Sequence, residues 1–518
     1  MSSREKIREF IQGTLSGVRF VAVSNREPYV HTYTGDDGIQ CSQPSSGMVS
    51  ALDPVLQASH GTWIAHGSGN ADFDVVDKNG AIRVPPHDPK YNLMRVALSP
   101  EQEEGYYHGF SNQGLWPLCH MAHRAPRFDA QHWKIYQQVN ALFAEHVARS
   151  VGNSRAIVFV QDYHFALLPQ MLKEKCPHAI LVHFWHIPWP QSETLRICPW
   201  KQEIVRGLLG NDILGFHLPG YCENFTAGAR STFPHIQQGP GNALIWRGHR
   251  TSVRPFPAGI DFDELDGLAS SENVKQKAAE FRRLYRLPQW VGVGVDRLDY
   301  IKGIPERLQA IVRFLESSPE FHGKFSFVQL AVPSRSDIDA YQDLAQNVHR
   351  LVNEINGRFA KDGWTPIVLI SKNLPPADVA ALYRIADFCL VTSLHDGMNL
   401  VAKEFVASRG DEKGVLLLSC FAGASTEMTD ALLLNPYDTE TMARLIKKAL
   451  RMEPFEVSKR MRRMRSLLRR HNIFRWMIDI LAVATENRVA TLETEGHESF
   501  AANSPKSELD EDRLPFIY

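Results

Sequence analysis

The sequence predicts an α/β protein of two doubly wound domains facing a central cleft, and three observations carry that prediction. From about Gly292 onward, apolar strand-like runs alternate regularly with helical periodicity. The first half shows the same alternation less regularly. Between the halves, in "VRPFPAGIDFDEL", Pro255, Pro257 and Gly259 interrupt all periodicity. Alternation of this kind builds a parallel sheet with helices on both faces. At 518 residues the chain exceeds one core, since domains run to roughly 100 to 200 residues. The expected units are residues 1–255, residues 256–475, a C-terminal helix over 476–490 packing back on the first unit, and a disordered polar tail over 491–518.

In chain order, the strands of the first half are "VRFVAVSN", "GTWIAHG", "AIVFVQDYH", "AILVHFWHIP" and "DILGFH", with a long amphipathic helix in "HWKIYQQVNALFAEHVARSV" between the second and third. The second half offers "VGVGVD", "FSFVQLAV", "PIVLIS", "FCLVTSL", "GVLLLSC" and "ALLLNP". After Gly303, Pro305 suits a first helical turn, and Leu308, Ile311, Val312 and Leu315 recur at helical spacing. "VGVGVD" gestures at a dinucleotide-binding turn but lacks its third glycine and is discounted.

Composition excludes several functions. Lysine plus arginine (57) against aspartate plus glutamate (58) leaves a net charge of -1, so no global field draws the chain to nucleic acid or to an anionic membrane. Seven cysteines without a CxxC pair argue against a disulfide framework, and a reducing cytoplasm is the expected location. No apolar run of 18 residues exists, so neither a signal peptide nor a membrane span is expected.

Ligands of open parallel sheets bind beyond the carboxyl ends of the strands, and there this sequence is polar. "VTSL" ends in His395-Asp396-Gly397-Met398-Asn399, and the helix "LVAKEFVAS" starts at once, so its free N–H groups would face the cleft and favour an anion. Gly397 permits close backbone approach, and Glu404, one turn on, could accept from a diol. For Asp-Gly alone, a simple αβ turn capped by Asn399 accounts for the pattern. However, "GVDRLDYIKG" adds Arg297 and Lys302, and "LAVPSRSD" adds Arg335. Three cations and a helix N-terminus at one sheet edge point to phosphate. The first half supplies Arg26, Tyr107, Trp116, Asp162, Tyr163 and His186 at or near its strand ends. Aromatic faces with a carboxylate suit a sugar ring; core packing and a buried imidazole are the alternatives.

"SNREP", "YYHGFSNQGLWP", "QDYH", "HIPWPQSE", "GVDRLDYIKGIPER", "PSR" and "DGMNLVAKE" follow the order of motifs in the trehalose-6-phosphate synthase family of retaining glycosyltransferases, which the chain resembles over about residues 18 to 475. The resemblance implies the GT-B fold, with two Rossmann-like domains, an acceptor held by the first and a nucleotide-sugar by the second. It implies that Arg297 and Lys302 hold a diphosphate and Glu404 a ribose. Asp396, with the backbone of Gly397, Met398, Asn399, Leu400 and Val401, would hold donor glucose and phosphate. His186 would contact the donor hexose near the reacting carbon; Arg26, Tyr107 and Arg335 would grip a sugar phosphate, and Trp116, Asp162 and Tyr163 its ring. The family's double-glycine loop stands here as Ser46-Gly47, so Gly47 alone carries over, and His66 replaces the family's acceptor-pocket tryptophan.

The implied reaction moves glucose from ADP- or UDP-glucose to glucose-6-phosphate with retention, giving trehalose-6-phosphate, with no metal and no cofactor beyond the nucleotide-sugar. His66 motivates glycerol-3-phosphate as alternative acceptor, as in the related glucosylglycerol-phosphate synthases. An inactive sugar-phosphate sensor would be expected to lack a phosphate clamp, and all its residues are present here. The chain stops without the DxDx[TV] nucleophile motif of the phosphatase domain that follows some relatives, so a separate phosphatase is expected downstream; a homo-oligomer is compatible with all of this.

Overall fold

The computed structural model describes residues 3–35, 38–44, 47–335 and 337–498. Its first half folds around a ten-stranded sheet. In spatial order the strands are Gln237–Gly239, Ala243–Trp246, His249–Pro255, Ile213–Phe216, Ile180–Phe184, Ala156–Gln161, Arg19–Ser24, Thr62–His66, Tyr91–Val96 and Ala81–Val84. The seven strands from His249–Pro255 to Tyr91–Val96 pair in parallel, and antiparallel strands close both edges. The central strand "RFVAVS" is buried at every position after the first, as a strand covered by helices on both faces must be.

The second sheet is six-stranded and wholly parallel, in the order Ile367–Ile370, Phe325–Val332, Trp290–Arg297, Phe388–Val391, Val415–Ser419 and Leu432–Leu434. Both sheets therefore wind outward in two directions from their first strand. That reversal opens a crevice between Arg19–Ser24 and Ala156–Gln161 in one, and between Trp290–Arg297 and Phe388–Val391 in the other.

The glycines of "VGVGVD" serve packing. A Cβ on Gly292 would overlap Phe388 and Phe327, and one on Gly294 would overlap Arg307 and Gln329. The helix after Gly303 spans Ile304–Ser317 with Leu308, Ile311 and Leu315 buried. The amphipathic helix of the first half spans Ala130–Val151, with Asp129 capping it. Sequence periodicity missed the strands Tyr91–Val96 and His249–Pro255, the edge strands beside them, and the hairpin Val30–Tyr33 with Ile39–Ser42. Their sides facing solvent carry polar residues over too few positions for alternation to register. "EGYYHGFSNQGL" forms a wide, π-type helix over Glu104–Leu115 that runs on into Trp116–Cys119. Gly105 and Gly109 let it lie against Ile135 and His132, where a Cβ would overlap.

The chain crosses between the halves at Phe256–Asp261 and returns at Asn472–Ile473, where Ile473 N–H donates to the Ile260 carbonyl (2.9 Å). The helix Ile473–Glu498 then buries Phe474, Trp476, Met477 and Ile480 against the first sheet's core. Trp476 meets Phe184 at 4.9 Å between ring centroids. The tail expected from residue 491 is helical in backbone to Glu498, and from residue 499 it lies outside the described residues. Among the described residues no helix is long and apolar enough to cross a membrane. All seven cysteines are unpaired.

Candidate active site between the two sheets

The two crevices face each other across one cavity of about 410 Å³. Its C-terminal wall starts where Trp290–Arg297 ends. Arg297 leaves that strand half-buried and donates to the Ser334 hydroxyl at 3.0 Å. Lys302 follows on a short turn and donates to Asp396 Oδ2 at 2.6 Å. The same oxygen accepts from Asn399 Nδ2 (3.0 Å) and from the Ser393 hydroxyl (3.1 Å). Burial by itself would raise the Asp396 pKa, but Lys302 and Asn399 outweigh it and hold the carboxyl at about 2. Asn399 sits at φ +71°, and its side chain caps the helix Leu400–Ser408 by accepting from Ala402 N–H at 3.1 Å. Glu404 lies one turn along, where the Tyr383 hydroxyl donates to it at 3.2 Å.

The N-terminal wall is aromatic. Tyr163 donates from its hydroxyl to Asn112 at 2.8 Å, and Trp116 lies 5.8 Å from it between ring centroids. Asp162 has φ +72° and ψ 176°, a region L-residues avoid at a strain of about 1–3 kcal/mol. That turn aims its Oδ1 at two backbone N–H groups, of Tyr163 (3.0 Å) and His186 (3.1 Å). Burial nevertheless dominates and pushes the carboxyl up to about 7. Tyr107 responds the other way: burial opposes ionisation, yet Arg335, Arg26 and Arg297 together bring its phenol down to about 8. Burial depresses the His186 imidazole to about 3, so it is neutral, with Nε2 2.9 Å from Gln161 Oε1.

Two contacts join the walls. Arg335, at φ +51°, comes from the C-terminal half but stacks 4.1 Å over Trp116 and donates to the Tyr163 hydroxyl at 3.2 Å. Gly397 packs so closely on the His186 carbonyl that any side chain there would collide with it.

The sequence matches glycosyltransferase family 20 over residues 18–485. The chain belongs to that family. A protein of Mycobacterium sp. (strain KMS) named trehalose-6-phosphate synthase is 38% identical over 485 residues, which is 90% of this chain and 95% of that one. The structure of an α,α-trehalose 6-phosphate synthase from Burkholderia multivorans superposes with a TM-score of 0.83 at 31% identity, covering 94% of this chain and 100% of that one. A UDP-forming α,α-trehalose-phosphate synthase from Burkholderia xenovorans, in complex with glucose-6-phosphate, superposes at 0.79 with 31% identity, covering 90% and 99%. The fold is GT-B, and the chain is a glycosyltransferase, as family 20 membership implies.

Of the residues that the family resemblance singled out, Arg26, Tyr107, Trp116, Asp162, Tyr163, His186 and Gly47 line the cavity from one side. Arg297, Lys302, Arg335, Asp396, Glu404 and the run Gly397 to Val401 line it from the other. Gly47 begins a helix over Gly47–Ser59 and faces the Leu400 side chain, whose tip would have to shift to admit a Cβ there. Its neighbour Ser46 lies outside the described residues.

His66 is absent from the cavity lining. It ends the strand Thr62–His66, one place out from the switch point, and is buried with its pKa lowered mainly by burial. Sequence reading also gave no role to Trp476, Ile473, His217 and His120, which line the cavity as well. Trp476 arrives from the returning C-terminal helix and donates to the Phe256 carbonyl at 3.1 Å. No local motif marks such a residue. His217 follows the strand Ile213–Phe216, and that position could have flagged it.

Proposed function

We propose that this enzyme transfers glucose from ADP- or UDP-glucose to glucose-6-phosphate with retention of configuration, forming trehalose-6-phosphate. The observation that carries the proposal is the polarity of the cavity: a cation pair and a helix N-terminus on one wall, and aromatic rings with a carboxylate and Arg26 on the other. The names of the mycobacterial and Burkholderia relatives support the same product, and the UDP-forming relative favours UDP-glucose.

In this reading the donor diphosphate lies against Arg297, Lys302 and the amides following Gly397, with Glu404 toward the ribose. The glycosidic bond breaks with its electron pair passing to the diphosphate. The acceptor hydroxyl attacks from the same face, and its proton passes to the departing phosphate oxygen. Arg297 and Lys302 stabilise the charge that grows on that oxygen, so no metal is required. To bind diphosphate, Lys302 must loosen its ion pair with Asp396, which frees that carboxylate to accept from glucose hydroxyls. Neutral His186 sits beside the reacting carbon without adding charge, and Asp162 with Trp116 and Tyr163 holds the acceptor ring. Glycerol-3-phosphate, the alternative acceptor, draws less support, since His66 is absent from the cavity lining.

The test is purified protein given each nucleotide-sugar with each acceptor, with and without excess chelator. The expected result is an α,α-linked phosphodisaccharide, identified by NMR, formed equally in chelator. Turnover of glycerol-3-phosphate with silence toward glucose-6-phosphate would overturn the acceptor. Loss of activity in chelator would overturn the metal-free step, and tight nucleotide-sugar binding without transfer would leave a sensor.

A further inference from the structure

Between the donor cation Arg297 and the bridging cation Arg335 lies a carboxylate to which nothing so far gives a role. Asp299 is fully buried two residues beyond the strand Trp290–Arg297. Its Oδ1 accepts from the Ile301 N–H at 3.3 Å and so closes the turn Tyr300–Lys302 that presents Lys302. Its Oδ2 makes no hydrogen bond, although it is buried. That oxygen lies 3.6 Å from Arg297 Nη2 and 3.5 Å from Arg335 Nη1. A buried carboxylate oxygen left unbonded costs free energy unless neighbouring charge compensates it, and here two guanidiniums do.

We propose that Asp299 is a positioning residue that sets the geometry of all three phosphate-binding cations at once, so that the donor diphosphate and the acceptor phosphate are held in fixed relation. The inference rests on the glucosyl-transfer reading above. Without a negative charge between them, Arg297 and Arg335 would repel and separate. With Asp299 each guanidinium is held by charge rather than by a saturated hydrogen bond, so its remaining donors stay free for phosphate oxygens. Catalysis needs reacting atoms placed within a fraction of an ångström, and a misplacement of about 1 Å can lower rate about 10²-fold.

This makes a prediction opposite to that for a site merely losing charge balance. Asp299→Asn keeps the shape, keeps an oxygen for the Ile301 N–H, and leaves the cavity one unit more positive. Ground-state anions should then bind as well or better, while turnover falls. The expected result is a kcat lower by about tenfold or more, with KM for glucose-6-phosphate and the Kd for UDP, measured by calorimetry, unchanged or reduced. Unchanged kcat would overturn the inference, and so would a raised UDP Kd. The UDP titration does not depend on which acceptor is used, so it tests Asp299 even if wild-type protein proves silent toward glucose-6-phosphate. Should D299N not fold, Asp299→Glu keeps the charge and displaces it by one methylene. Its kcat should also fall, by a smaller factor, and wild-type turnover in that variant would overturn the positioning role.

Discussion

The C-terminal wall of the cavity holds Lys302, Asp396 and Asn399 in a closed network in which the carboxyl stays ionised to about pH 2. The N-terminal wall holds Asp162 on two backbone N–H groups, and its carboxyl rises to about pH 7. Asp396 is buried and Asp162 partly buried, each beyond the end of a parallel strand, at equivalent switch points of two sheets whose parallel strands follow the same order. The difference lies in what meets them: an ammonium at 2.6 Å in one case, two backbone N–H groups in the other. Burial raises both, and at Asp396 Lys302 together with Asn399 reverses the shift. One architecture thus yields a wall suited to anionic phosphates and a wall suited to a sugar ring.

The comparison is broken most severely at Arg297. Arg297→Ala removes a cation whose interaction strengthens as diphosphate charge grows, so kcat/KM should fall by about 10²-fold or more while the melting temperature stays near wild type. Steady-state kinetics and thermal denaturation check both halves of that statement. Lysine should restore only part, because an ammonium does not reproduce a bidentate fork.

Titration sharpens the comparison. If ionised Asp162 accepts sugar hydroxyls, kcat/KM for the acceptor should rise by up to about tenfold per unit as pH rises through about 7. It should fall again above about 8, where the Tyr107 phenol ionises and repels phosphate. Asp162→Asn should remove the rising limb, and Tyr107→Phe the falling one. Stability gives an independent readout. A carboxyl raised from the ordinary value near 4 stabilises the fold below that value, and this contribution is lost as pH rises through about 7. D162N should therefore lose less stability than wild type between pH 5 and pH 8 in denaturant titrations.

The smallest effect is expected at His66, which is absent from the cavity lining. His66→Asn should change kcat/KM for glucose-6-phosphate by less than about threefold. A larger change confined to the acceptor KM would return it to the N-terminal wall.

The polar knot from His395 to Asn399, the cations of "GVDRLDYIKG" and Asp162 were all legible, because a parallel strand shows as an apolar run and its ligand end as the polar residues that stop it. The helix Leu400–Ser408 was legible for the same reason, through Asn399 and the periodicity behind it. The short edge strands were not, since pairing at a sheet edge leaves little trace over three or four residues. Nor was the wide helix Glu104–Leu115, to which the sequence reading assigned no element and whose Gly105 and Gly109 lie against Ile135 and His132.

By itself, then, the sequence determined two doubly wound units, their strand ends and the chemistry at those ends, because each depends on spacing within a few residues of chain. Tertiary structure alone decided that Lys302 meets Asp396, 94 positions away, and that Arg335 lies over Trp116 from the other half. It also decided that Trp476 returns to the cavity while His66 does not reach it. Such pairings follow from which sheet faces which and how closely glycines such as Gly397 let the backbones approach, and packing of distant elements leaves no periodic mark in the chain.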